Sequence, residues 1–259
     1  MIYYIENKML KAELKNEKIE LPQELRKKID ANFEKMKNNG ANIWNGEVMC
    51  VSSVNIADNK VEIICKKSDY AHYLYGERIG CPKEFECKNL SAGCLLETSD
   101  GYYVVGELDA KTSYPGMLQV TGGGVDKKDI CDGNIDILQT IKRETKEELN
   151  IDLDDESLVK ESGICYIYVS NPDEQPGVEL FVKAKIKLTA KEMQEYFEAY
   201  YKFLKENSLE LEFKTLHYFS KDNPSQDLDK LTNPRRFYLK PLLQFDSNKD
   251  KRDYDGREL

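Results

Sequence analysis

Residues 136–151 read D-I-L-Q-T-I-K-R-E-T-K-E-E-L-N-I, and this stretch narrows the possible fold more than any other in the chain. Asp136, with Gln139 three residues on, fits a capping box, in which side chains satisfy the first free backbone N–H groups of a helix. At about 100° per residue, Ile137, Leu138, Ile141, Thr145 and Leu149 share one face, and Glu144, Glu147 and Glu148 gather beside it. Lys142 and Lys146 point the other way. Arg143 lies one turn before Glu147 and can hold a carboxylate by a charge-assisted hydrogen bond. The segment predicts a helix laid on a buried layer, with three carboxylates at the edge of its apolar face.

Converging carboxylates repel and raise each other's pKa, so a fold keeps them together most readily around a divalent cation. Oxygen-only ligands select Mg²⁺ or Mn²⁺, and these ions commonly bridge to substrate phosphates. The chain has only two histidines, His72 and His217, which excludes zinc sites built from several imidazoles. Gly122, Gly123 and Gly124 follow a short strand-like run and would let backbone approach such a site closely. Taken singly, an acidic helix is more often a solvated face and a glycine triplet more often a turn. The order of strand, glycines, loop and capped acidic helix is what gives the pattern weight.

Along the chain, residues 25–36 carry apolar residues at helical spacing, and 47–54 and 60–65 read as strands joined at Ala57-Asp58-Asn59. Residues 68–75 read as a short aromatic-rich helix, and Gly80-Cys81-Pro82 marks a break. The runs 91–98 and 102–108, joined at Ser99-Asp100-Gly101, predict a hairpin. A short strand follows at 117–121, then an irregular loop to Ile135. Beyond the acidic helix the pattern predicts strands at 163–170 and 178–188 about a loop at 171–177. A helix at 190–206, a strand at 212–219 and a helix after Asn233-Pro234 complete the reading. This divides the chain into an α+β extension at 1–88, a main domain at 89–245 and a polar flexible tail at 246–259.

Arg143-Glu144-Thr145-Lys146-Glu147-Glu148-Leu149-Asn150-Ile151 resembles the second half of the Nudix box, G-x5-E-x7-R-E-U-x-E-E-x-G-U with U aliphatic. In element order the resemblance covers residues 89–245. It implies an α/β fold of the Nudix α/β/α sandwich type with a mixed sheet, and metal-dependent hydrolysis of a nucleoside diphosphate linked to another moiety. On this resemblance Glu144, Glu147 and Glu148 are the metal ligands, and Arg143 joins them as a catalytic residue. Gly122, Gly123 and Gly124, with Tyr70 and Tyr114, are the candidate substrate-binding residues, and Tyr73 is a further aromatic that could stack on a base. Four features depart from the box. Its first glutamate falls on Ile135, with Asp136 next door as a shifted substitute; Thr145 stands for an aliphatic residue; Asn150 stands for a glycine; and 125–134 form an inserted loop. Glu210 and Glu212 open a late strand and could supply a general base, although a solvated position is the simpler expectation for both. Trp44-Asn45-Gly46 followed by Asp69-Tyr70-Ala71-His72-Tyr73 is similar in order to the extension of UDP-sugar diphosphatases in that family. A nucleotide-sugar substrate is implied. His72 itself is expected to be structural.

The 38 Lys and Arg against 47 Asp and Glu give a formal charge of −9, which argues against wholesale non-specific nucleic-acid binding. Seven cysteines without a C-x-x-C pair read as reduced thiols, and no apolar run approaches a membrane span, so a cytoplasmic location is expected, with no membrane partner. The expected partner is a small nucleotide-derived substrate, with a homodimer left open. The rival reading is a catalytically impaired module of the same type that binds a nucleotide or a protein. A second is a structural protein whose acidic helix is merely solvated.

Overall fold

The computed structural model describes residues 1–41, 43–170 and 177–255, with side chains through Lys249. The strands are β1 (Ile2–Tyr4), β2 (Met9–Lys18), β3 (Glu47–Ile56), β4 (Lys60–Asp69), β5 (Leu90–Glu97), β6 (Tyr102–Leu108), β7 (Leu118–Gln119), β8 (Thr121–Gly124), β9 (Ile130–Cys131), β10 (Asn134–Ile135), β11 (Val159–Ser170), β12 (Gly177–Ile186) and β13 (Phe213–Ser220). The helices are α1 (Gln23–Asn38), α2 (Tyr70–Arg78), α3 (Ile137–Leu149), α4 (Ala190–Glu206), α5 (Pro224–Asp229) and α6 (Leu239–Asp255). The loop expected at 171–177 lies, apart from Gly177, outside the described residues.

Alternation along β5 decides the layering. Leu90, Ala92, Cys94 and Leu96 bury into one face of the larger sheet with Ile137, Ile141 and Leu149 of α3 and Met193 and Phe197 of α4. Leu95, between them, turns to the opposite face, where Tyr103, Val105 and Phe181 meet Leu239, Leu242 and Leu243 of α6. Period-two side chains thus supply two buried faces from one strand. The result is an α/β/α sandwich, as the sequence predicts. Its sheet runs β1-β11-β12-β5-β6-β13 and is mixed, because β12 and β5 pair in parallel while the other pairs are antiparallel.

A second sheet, ordered β3-β4-β2-β10-β9, packs its Met49, Val51, Val61 and Ile63 into the same core as α3. The two sheets exchange strands. β1 joins the larger sheet at β11, with Tyr3 opposite Ile167, while Asn134 of β10 pairs with Glu13 of β2. The stretch expected as an irregular loop before Ile135 therefore contains a small hairpin. Two further expectations are corrected. Leu138 is exposed, and Thr140 takes its place on the buried face of α3. Asp246, read as the start of a polar tail, is fully buried within α6, where it accepts hydrogen bonds from the Tyr103 and Tyr166 hydroxyls and pairs with Lys183 at 2.8 Å. No helix among the described residues is long and apolar enough to cross a membrane.

Candidate functional site

The site begins where β5 divides its pairing. Along one edge β5 is held by β12 from Leu90 to Glu97, but along the other it gives Ser91 to Cys94 to β8 and only Leu96 and Glu97 to β6. A cavity of about 260 Å³ lies at this fork, lined by Ala92, Leu108, Gln119 and the glycines of β8. Gly122 is required by space, and Gly123 leaves room for the Glu144 side chain. A Cβ on Gly122 would stand 2.4 Å from the Ala92 carbonyl oxygen, and one on Gly123 would stand 2.7 Å from the Glu144 carboxyl. Glycine thus lets β8 lie against β5 and lets the Glu144 side chain lie across β8.

Helix α3 delivers the carboxylates. Its start is fixed by Asp136, whose side chain accepts the Gln139 N–H at 2.9 Å, so Asp136 is a helix cap and is not the shifted substitute that the box spacing suggested. Glu148 is buried and its Oε2 accepts the Gly122 N–H at 3.0 Å. Glu144 lies against Gly123, whereas Glu147 is largely exposed and faces Arg143 and Lys128. Across the cavity, Glu212 stands just before β13, its carbonyl accepting the Asp109 N–H at 2.8 Å. Burial and then the charges of Glu212 and Glu144 push the Glu148 carboxyl well above the ordinary range. Burial, with Glu144 and Glu210 close by, raises Glu212 to about 7. Glu144 is raised by burial, against the opposing pull of Arg143. Solvated positions were the simpler expectation for Glu210 and Glu212. Only Glu210 is exposed, and both line the cavity.

Arg143 is oriented by a residue the motif did not reveal. Asp129, fully buried, accepts from the Arg143 guanidinium at 2.8 Å and from the Thr140 hydroxyl at 3.0 Å. Burial works against its charge, but these donors and the Asp126 N–H outweigh burial and hold Asp129 below its ordinary value. Asp126 and Asp129 form a reciprocal capping box around a single helical turn, so D-K-K-D at 126–129 was the available signal. The same guanidinium bonds Glu144 and reaches Glu147 at 3.4 Å. Ile135, at the box's first glutamate position, is instead a buried member of the core. Asn150 adopts the left-handed conformation, φ 57°, that a glycine would supply at the end of α3. Thr145 is fully buried between helix and sheet.

The opposite wall comes from α2 and the segment before α6. Asp69 caps α2 through the His72 N–H at 3.1 Å, and Asn45 accepts the Ala71 N–H at 2.8 Å, which brings Tyr70 and Tyr73 to the cavity. The Tyr70 hydroxyl bonds Ser113 at 2.8 Å, and the Tyr70 ring stacks on Tyr73. Tyr114 also lines the cavity, with the Arg236 guanidinium 4.4 Å and the Arg78 guanidinium 5.3 Å from its ring centre. His72 is fully buried between Ser68 and the Phe85 carbonyl, a structural position.

As they stand, no three acidic, His or Cys side chains among the described residues close on one point as an ion would require. The donor chemistry still suits a hard divalent cation: Glu144, Glu148 and Glu212 are oxygen donors whose pKa values are raised by burial and by neighbouring carboxylates, and a cation relieves that cost.

No sequence-family model matches the chain, and no curated protein matches it. Among solved structures it is similar to a Caenorhabditis elegans Ap4A hydrolase binary complex, with TM-score 0.38 and 18% identity over 65% of this chain and 98% of that one. It is also similar to a NUDIX hydrolase from Nitrosomonas europaea, with TM-score 0.37 and 15% identity over 63% and 90%. A MutT protein from Methanosarcina mazei Go1 gives TM-score 0.38 and 14% identity over 62% and 94%.

Proposed function

We propose that the chain is a Nudix-type hydrolase that cleaves the phosphoanhydride of a nucleoside diphosphate linked to another moiety, with a nucleotide-sugar as the preferred class. The observation that carries this reading is the meeting of Glu144 and Glu148 with the glycine strand β8, whose glycines line a cavity that Glu212 also lines. Glu144, Glu147 and Glu148, the carboxylates of the motif, would hold Mg²⁺ or Mn²⁺. A bound divalent ion would neutralise the diphosphate and lower the pKa of water.

The remaining work falls to the chain's own residues. Arg143, braced by Asp129, orients Glu144 so that its carboxylate stays over Gly123. Gly122 fixes Glu148 through its N–H. Backbone at Gly122, Gly123 and Gly124 lets a phosphate approach without a side chain in the way. Glu212, facing the cavity, is the group placed to accept a proton from attacking water. Tyr70, Tyr73 and Tyr114 close the far wall and limit water around the bound nucleotide.

The test is phosphate release, after phosphatase treatment of the products, from UDP-sugars, ADP-ribose, dinucleoside polyphosphates, NADH, FAD and coenzyme A with Mg²⁺ or Mn²⁺. Turnover of at least one class that stops in EDTA supports the reading. Silence across the panel favours a binding module.

A further inference from the structure

The cavity has a second set of polar groups that the hydrolytic reading does not use. Glu179, on β12, lines it, and its Oε2 is buried without a hydrogen-bond partner among the described residues. Arg236 lines it too. Its Nε donates to the Gln119 side-chain carbonyl at 3.1 Å and its guanidinium packs on the Tyr114 ring, while its two terminal nitrogens have no partner among the described residues. An unsatisfied buried carboxyl oxygen is costly to maintain, and with an open guanidinium fork in the same cavity the natural complement is a ligand that satisfies both.

That complement has a definite pattern. A fork with two free N–H groups is matched by two adjacent acceptors, and a buried carboxyl oxygen by a donor beside them. Guanine presents this order along one edge, with N7 and O6 as neighbouring acceptors and N1–H as the next donor. Adenine offers N7 but puts a donor where the second acceptor is needed, and uracil has no adjacent acceptor pair. Cytosine carries a related order on a single ring, with less surface to set against the aromatic walls of Tyr73 and Tyr238.

We propose that Arg236 and Glu179 form a nucleobase site for guanine, with the Arg236 fork on N7 and O6 and Glu179 Oε2 accepting from N1–H. Burial raises the Glu179 carboxyl to about 8, against the opposing pull of Arg236 and of a hydrogen bond with Ser91. The proposal deepens the hydrolase reading by naming the base, and it rests on that reading for the link to turnover. Its own test needs no turnover.

The experiment is calorimetric binding of GMP, CMP, AMP and UMP to the full chain in EDTA, repeated with 7-deaza-GMP and 1-methyl-GMP. GMP is expected to bind about tenfold tighter than AMP and UMP, and tighter than CMP, the size of discrimination a buried hydrogen-bonding site gives. Removing N7, or methylating N1, is expected to weaken GMP by about tenfold while the protein is left unaltered. In Glu179→Leu and Arg236→Met the preference for GMP should vanish. Equal binding of all four nucleotides, tighter binding of CMP than of GMP, or full affinity for both modified guanines overturns the proposal. Since monophosphates lack the anhydride and EDTA removes metal, such a failure leaves the hydrolase reading to its own assay. Guanine-selective binding without turnover on any substrate would support the base site and sink the hydrolase.

Discussion

Arg143 is held by Asp129 across 14 residues of sequence, in a buried pair at 2.8 Å that fixes the guanidinium against Glu144. The partner comes from the inserted loop, and the position the motif counts as acidic, Ile135, is free to serve the core. Replacing Asp129 with Asn leaves the arginine charge buried without its main counter-charge. The expected loss is about 3 kcal/mol, at the lower end for breaking a buried pair, measured as a drop in urea unfolding free energy. An unchanged midpoint would show that Glu144 and Glu147 suffice to hold Arg143.

Gly123 carries a sharper prediction, because its effect falls on the site and not on the fold. Alanine there would put a methyl carbon 2.7 Å from the Glu144 carboxyl and push that side chain aside. Turnover should fall roughly a hundredfold, the scale of a displacement of about 1 Å in a catalytic group, with the unfolding midpoint nearly kept. Equal losses of stability and turnover would instead mark Gly123 as a residue of the fold.

Helix α3 was legible because its signals are local: a cap at Asp136, apolar spacing, and a charge pattern that segregates acid from base. Helix α4 was legible for the same reason, since Thr189 and Glu192 form a reciprocal capping box at its start. Strands β1 and β2 were not. β2 reads M-L-K-A-E-L-K-N-E-K, with one buried side chain, Ala12, so its apolar alternation is too weak to distinguish it from a charged helix. Within the site, the carboxylates of α3 were visible as a motif and Glu212 as a candidate base, while Asp129 and Glu179 were not. D-K-K-D marks the turn that carries Asp129 but not its pairing with Arg143, and no local pattern separates Glu179 from a solvated residue.

Asp246 illustrates that gap at the C-terminal end. It lies in a sequence polar enough to read as tail, yet it accepts from Tyr103 and Tyr166 and pairs with Lys183, which also reaches Glu97 at 3.3 Å. Asp246→Ala should cost about 3–5 kcal/mol, the range for leaving a buried partner uncompensated, and should lower the thermal midpoint clearly. A variant as stable as wild type would mean that α6 docks through Leu239, Leu242 and Leu243 alone.

Glu179 contributes a pH dependence of stability with a definite sign. Its carboxyl is raised from 4.5 to about 8, so the folded chain binds a proton there that the unfolded chain releases between those values. Stability from this group therefore falls as pH rises through the window, with no cost below about 4.5 and the full cost above about 8. Glu179→Gln removes this group's contribution. Relative to wild type, the variant should gain urea stability between pH 5.5 and 8.5, and a difference that does not change with pH would contradict the assignment.

The central claim is that the carboxylates of α3, set against the glycines of β8, perform metal-assisted hydrolysis. The most direct measurement is kcat at saturating Mn²⁺ for the best substrate found, compared between wild type and Glu148→Gln, with circular dichroism to confirm that both fold. The account predicts a loss of roughly a hundredfold or more in kcat for the folded variant, as expected when a preorganised electrostatic group is removed. Wild-type turnover in folded Glu148→Gln would contradict it.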